Sequence, residues 1–272
     1  MKRPSILLTN DDGIESRGLW AAAEALALLG EVTVAAPSRQ WSGAGRSFPR
    51  GTSGNIDRRE KIFGGEKHRV YAVDGSPAQV VLFALFEILP VPPDLVVAGI
   101  NFGENVGYGI TISGTVGAVL EAAAGGLRAL AVSQETPADM KEDLACGVDF
   151  SAAASFTRLF AEKILALPAR PDVAAWKVDV PLGAAPETPW TLTRLSRTRY
   201  YEPAPPVRKS ESDPVQIPFR IRFDYHGEEP GSDVYALHVE RKVSVTPLSL
   251  DLTSRAEYAE VESVLRRTDA GG

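Results

Sequence analysis

A chain of 272 residues, 44% hydrophobic and 24% charged, is long enough for a full buried core and has the make-up of a globular protein. Its net charge of −6 excludes a bulk basic surface for a nucleic-acid duplex, but leaves room for a phosphate met by a local cation or a helix start. A single cysteine, Cys146, excludes an intrachain disulfide or a multi-cysteine zinc site and fits a reducing compartment; it reads as a buried thiol rather than a nucleophile.

The apolar run after Met1-Lys2-Arg3-Pro4 is too short for a signal peptide. The most apolar stretch, 80–89, contains Glu87 and ends at Pro90, short of a membrane span, so the expected location is the cytoplasm, with no membrane partner. Residues 6–9 read as a strand, 19–29 as an amphipathic helix closed by Gly30, and 32–35 and 68–73 as further strands. A helix is expected over 77–89, with Pro77 in its first turn, then a buried strand at 95–98. An Ala-rich helix follows at 115–124, closed by Gly125-Gly126, and a strand at 130–132. Strand and helix alternating in this way predict a doubly wound, mostly parallel α/β sheet whose ligands gather at the carboxyl ends of the strands. Residues 150–167 read as a long helix and 176–180 as a strand. Residues 200–218, punctuated by Pro203, Pro205, Pro206, Pro214 and Pro218, read as an extended arm. Residues 219–225 and 234–245 alternate like the strands of a β-hairpin, and 255–267 read as a helix with Tyr258, Val261 and Leu265 on one face.

Asn10-Asp11-Asp12-Gly13 stands at the end of the first strand. Adjacent carboxylates there repel each other and are costly to bury without a cation. Gly13 lets the chain turn sharply, which frees the two side chains from facing opposite ways. Hard oxygen ligands of this kind suit Mg2+ or Mn2+ better than zinc or copper. The same residues also compose an ordinary Asx turn ahead of a helix.

The glycine-rich stretch from Gly99 to Thr115 follows a strand and opens a helix. Ser113-Gly114-Thr115 puts N–H groups and two hydroxyls where an anion is stabilised, or simply caps the helix. Gly109 and Gly114 have Walker A spacing, but no Lys follows and no G-x-G-x-x-G occurs, so NTPase and dinucleotide-binding readings fail. The loop 36–47 offers the Ser42 hydroxyl, and Arg39 or Arg46 for a phosphate, or is plain surface. Ser76 reads as an N-cap. His68, His226 and His238 show no metal-ligand spacing, which disfavours Ser-His-Asp and His-zinc sites and leaves a metal plus oriented dipoles.

Taken in order, residues 7–14, 34–43, Gly75-Ser76-Pro77, 96–105, Ser113-Gly114-Thr115-Val116 and 244–248 resemble the motifs of the SurE family, the survival-protein nucleotidases, from about residue 5 to about residue 253. The resemblance implies a metal-dependent phosphatase acting on nucleoside 5′- and in some cases 3′-monophosphates, with some members also cleaving polyphosphate. It implies one divalent cation, Mg2+ or Mn2+, held by Asp11, Asp12, Ser42 and Asn101. Asp11, Asp12 and Asn101 would be catalytic, with phosphate contacts from Asn10, Asn105, Ser113, Gly114 and Thr115. It also implies a Rossmann-like core over 1–199 and, over 200–272, an arm, a β-hairpin and a terminal helix exchanged between subunits of a homodimer or homotetramer. Ile112 and Arg241-Lys242 depart from the family pattern, which bears on base preference and hairpin geometry. Two alternatives remain: a haloacid-dehalogenase-type phosphatase with Asp11 as nucleophile, although that chemistry wants Asp-x-Asp, and a non-catalytic metal- and phosphate-binding regulatory protein.

Overall fold

The computed structural model describes residues 3–137, 147–215, 217–222, 224–225 and 227–268; Cys146 and His226 lie outside the described residues. The strands are β1 (Ser5–Thr9), β2 (Glu31–Pro37), β3 (Ile56–Phe63), β4 (Glu66–Val73), β5 (Leu95–Phe102), β6 (Ala129–Gln134), β7 (Ala175–Val180), β8 (Trp190–Leu192), β9 (Tyr201–Pro203), β10 (Phe219–Ile221) and β11 (Val243–Leu248). Nine of them form one sheet in the order β3-β4-β2-β1-β5-β6-β7-β11-β8. From β4 to β7 every pairing is parallel, and β3 and β11 join antiparallel.

Continuous apolar strands are what a sheet covered on both faces requires. Ile6, Leu8 and Val97 face α1 (Arg17–Ala27) and α4 (Ser151–Ala166), where Leu19, Leu26, Phe156 and Phe160 close one core. Leu7 and Val96 face α2 (Pro77–Phe83) and α3 (Gly114–Ala124), where Val80, Val116 and Val119 close the other. The strand order reverses at β1, which lies between β2 and β5. In open α/β sheets that reversal leaves a crevice at the carboxyl ends, here between the ends of β1 and β5.

The doubly wound α/β fold is as the sequence implies, with differences in detail. The edge strand β3 was not expected. It pairs with β4 along its length, but only Phe63 is buried and the five residues 57–61 are all charged, so no apolar alternation marks it. Among the described residues, the expected hairpin of 219–225 with 234–245 does not form. The antiparallel ribbon is instead β9 with β10, and residues 235–239 make a π-helical turn. Val234 and Leu237, three apart, share its buried face with Val106 and Tyr200, a helical spacing that also suits a strand reading over so short a run. β11 then enters the main sheet beside β7, so the segment after residue 200 supplies part of the core. The final helix, α5 (Tyr258–Thr268), leaves Tyr258 at 64%, Val261 at 43% and Leu265 at 62% exposure. Among the described residues no helix is long and apolar enough to cross a membrane.

Candidate active site

β1 ends at the crevice, and the chain turns there because Gly13 takes a φ of +97°, a value L side chains avoid. Asn10 builds the turn: its Nδ2 donates to the Gly13 carbonyl at 3.0 Å and its Oδ1 accepts from Gly13 N at 3.2 Å. Asp11 and Asp12 are left 6% and 7% exposed. Burial pushes the Asp12 carboxyl up to about 8, helped by the negative charge of Asp11 and opposed by the Phe102 N–H. Burial also raises Asp11, against the Thr115 hydroxyl and the amides of Thr115 and Gly114. Among the described residues neither carboxylate is in an ion pair. Two carboxylates held this way are a strong incentive for a cation.

The segments that bear the other expected ligands are tied to this pair. Phe102 N donates to Asp12 Oδ2 at 3.0 Å, which binds the end of β5, and so Asn101, to Asp12. A register shift between Ala98 and Asn101 breaks the regular pairing with β6 at that point. Asn101 Nδ2 donates to the Gly103 carbonyl at 2.6 Å. Trp41 N donates to the Asp11 carbonyl at 2.7 Å, bringing the Ser42 loop to the same rim. Ser42 itself is exposed, its Oγ accepting from Gln40 Nε2 at 2.9 Å. Arg46 is committed to Glu121 of α3 at 2.6 Å, and the Arg39 guanidinium lies over Trp41 at 4.3 Å.

α3 points its first turn at Asp11. Ser113 caps the helix by accepting from Val116 N at 3.1 Å. A Cβ on Gly114 would stand 2.7 Å from Asp11 Cβ, so only glycine allows this approach. The Thr115 hydroxyl donates to Asp11 Oδ1. Of the residues expected at phosphate, Asn10 shapes the turn of the carboxylates, and Gly114 and Thr115 lie against Asp11. Asn105 is 9% exposed, with its Nδ2 donating to Ser133 Oγ at 2.8 Å. The histidines lie elsewhere among the described residues: His68 stacks on Phe63 at 3.8 Å, and His238 on Tyr225 at 4.6 Å.

The profile of the family described as survival protein SurE matches residues 6–202. The chain is 41% identical over 267 residues to the protein named 5'-nucleotidase SurE of Thermococcus gammatolerans, covering 96% of this chain and 95% of that one. This chain belongs to the SurE family. Its relative of the same name in Archaeoglobus fulgidus is 40% identical over 263 residues, covering 94% of this chain and 95% of its own length. The crystal structure of the SurE protein from Aquifex aeolicus superposes with a TM-score of 0.73 at 30% identity, over 97% of this chain and 100% of that one. Membership of the SurE family leaves the haloacid-dehalogenase alternative without support.

Sequence reasoning missed the buried charges behind the site: Lys177, Asp179 and Asp233, with exposures of 0%. Their signal was Lys177 and Asp179, two apart in a strand otherwise apolar.

Proposed function

We propose that the chain is a divalent-metal-dependent phosphomonoesterase that hydrolyses nucleoside 5′-monophosphates to nucleoside and phosphate. The relatives' name, 5'-nucleotidase SurE, supports the substrate class. One observation carries the chemistry: Asp11 and Asp12 lie buried together, without a counter-charge among the described residues, at the sheet's switch point.

That pair fits a hard cation, because its charge is uncompensated and the donors near it are oxygens. Asp11, Asp12, Asn101 and Ser42 would hold Mg2+ or Mn2+, which supplies Lewis-acid polarisation of a phosphoryl oxygen and a more acidic bound water. Asn105 and Ser113 contact the remaining phosphoryl oxygens from the loop and the start of α3. The Thr115 hydroxyl and the Gly114 and Thr115 amides oppose the rise that burial imposes on Asp11, and Thr115 holds it in place. Water is the nucleophile rather than Asp11, whose Oδ1 already accepts from the Thr115 hydroxyl and which would be one of the residues holding the ion. A phosphate-binding protein without turnover remains the contrasting outcome of the assay.

The assembly is a homodimer or homotetramer, with the exposed apolar face of the terminal helix α5 covered by, and exchanged with, a second copy. A cytoplasmic location accords with the single cysteine. Phosphate release from AMP, GMP, CMP, UMP and a 3′-monophosphate, with Mg2+ or Mn2+ and then with EDTA, tests the reading. Cation-dependent release from 5′-monophosphates is expected. No release with either cation, or release undiminished by EDTA, refutes it.

A further inference from the structure

β7 runs between β6 and β11, well inside the sheet, yet carries charges two positions apart. Alternate residues of a strand share a face, so Lys177 and Asp179 meet there, and Asp233 joins them. Lys177 Nζ donates to Asp179 Oδ2 and, at 3.1 Å, to Asp233 Oδ2. One buried ammonium between two carboxylates leaves a net negative charge that needs further donors. Those donors are backbone amides. Asp179 Oδ1 accepts from Asn105 N at 2.8 Å. Asp233 Oδ2 accepts from Gly107 N at 3.0 Å, and its Oδ1 from Ser196 N at 2.8 Å and Val234 N at 2.9 Å.

Two of these amides belong to the loop 103–107, which links Asn101 to the start of α3. The loop is also held by Gly103 N to the Gln134 carbonyl at 2.9 Å, by Asn105 Nδ2 to Ser133 Oγ at 2.8 Å, and by the Tyr200 and Tyr201 hydroxyls, which donate to Glu104 Oε1 at 2.6 Å and to the Glu104 carbonyl at 2.9 Å. We propose that Lys177, Asp179 and Asp233 form a buried positioning triad that fixes the Asn105–Gly107 backbone and thereby sets the phosphate-contacting side of the site. The inference rests on the phosphate role assigned to Asn105 above.

Asp179 is the member that separates positioning from mere packing. It serves Lys177 with one oxygen and Asn105 with the other. An asparagine offers one acceptor oxygen and an NH2 donor, so Asp179→Asn cannot satisfy both. The charged donor makes the stronger bond and takes the oxygen, leaving the Asn105 N–H facing an NH2 group. In the double variant Lys177→Met/Asp179→Asn that competitor is gone. The amide oxygen returns to Asn105, and its NH2 can donate to the Asp233 oxygen that Lys177 vacated.

The test measures KM for AMP, inhibition by inorganic phosphate, Mn2+ affinity by calorimetry and thermal unfolding, on wild type and both variants. Asp179→Asn is expected to raise KM and the phosphate inhibition constant together by about tenfold or more, with Mn2+ affinity within about twofold of wild type and cooperative unfolding kept. The double variant is expected to recover both constants to within about threefold of wild type. Unchanged constants in the single variant, or no recovery in the double, overturn the proposal. So does a variant that loses Mn2+ binding along with KM, or fails to unfold cooperatively, since that marks a structural role. A wild type that releases no phosphate refutes the nucleotidase reading instead.

Discussion

Gly114 is where the helix start meets the carboxylate. A methyl group there would stand 2.7 Å from Asp11 Cβ and 2.9 Å from its Oδ2, and the backbones of β1 and α3 both resist yielding. Gly114→Ala is therefore expected to lower kcat/KM for AMP by about 10- to 100-fold through displacement of α3 from Asp11, while the protein still unfolds cooperatively. Asp12→Asn removes a charge that burial and Asp11 both oppose. It is expected to abolish cation-dependent hydrolysis, yet to unfold at the same or a higher temperature than wild type in EDTA, as relief of buried repulsion requires. Melting at a clearly lower temperature in EDTA would contradict that. At this scale the sharp turn at Gly13 was legible from its place at the end of an apolar strand, although Asn10-Asp11-Asp12-Gly13 reads equally well as a cation site or as an ordinary Asx turn. The side chain of Asn10 closes that turn on Gly13, as the turn reading allowed, but the partner of Thr115 was not readable: whether its hydroxyl meets a phosphate or a neighbouring protein atom depends on the tertiary approach of α3.

Among the elements, the turn at 235–239 shows how local pattern and context part company. Val234 and Leu237 satisfy a helix face, and what decides the matter is the apolar corner with Tyr200 and Val106, which no local signal reveals. Charge fixes this turn to the end of β6. Desolvation would raise the Glu135 carboxyl, but the hydrogen bond with His238, the Leu182 N–H and the charges of His238 and Arg241 outweigh it and hold it at about 2 against an ordinary 4.5. A depressed carboxyl stabilises the fold above its unfolded value, and that contribution fades as pH falls toward about 2. Glu135→Gln is thus expected to melt below wild type near neutral pH and to converge with it in acid; a constant difference at every pH would count against the contact. In α4, Phe156 is 2% exposed between helix and sheet. Phe156→Ala is expected to cost about 3–5 kcal/mol in denaturant unfolding. The long apolar strands and α4 were readable from period and length alone, whereas β3, charged at the sheet's edge, had no such pattern to read.

For the whole molecule, the reversal of strand order at β1 explains why residues far apart in the chain converge. The ends of β1 and β5, the loop 103–107 and the start of α3 all open on one crevice, and β7 with Asp233 braces it from behind. α5 stands apart from this economy, with Tyr258, Val261, Val264 and Leu265 largely exposed. Apolar faces of that kind are normally covered by a partner. Light scattering is expected to find the full chain as a dimer or larger, and a chain ending at residue 253 as a smaller species; a monomeric full chain would contradict that assembly. The central claim is that the acidic pair holds a catalytic cation, and titration of Mn2+ into the EDTA-stripped protein, with AMP hydrolysis read at each addition, tests it most directly. Wild type should take up one equivalent, with phosphate release rising in step, and Asp12→Asn should show neither. Hydrolysis at full rate before any Mn2+ is added, or undiminished in Asp12→Asn, would contradict the account.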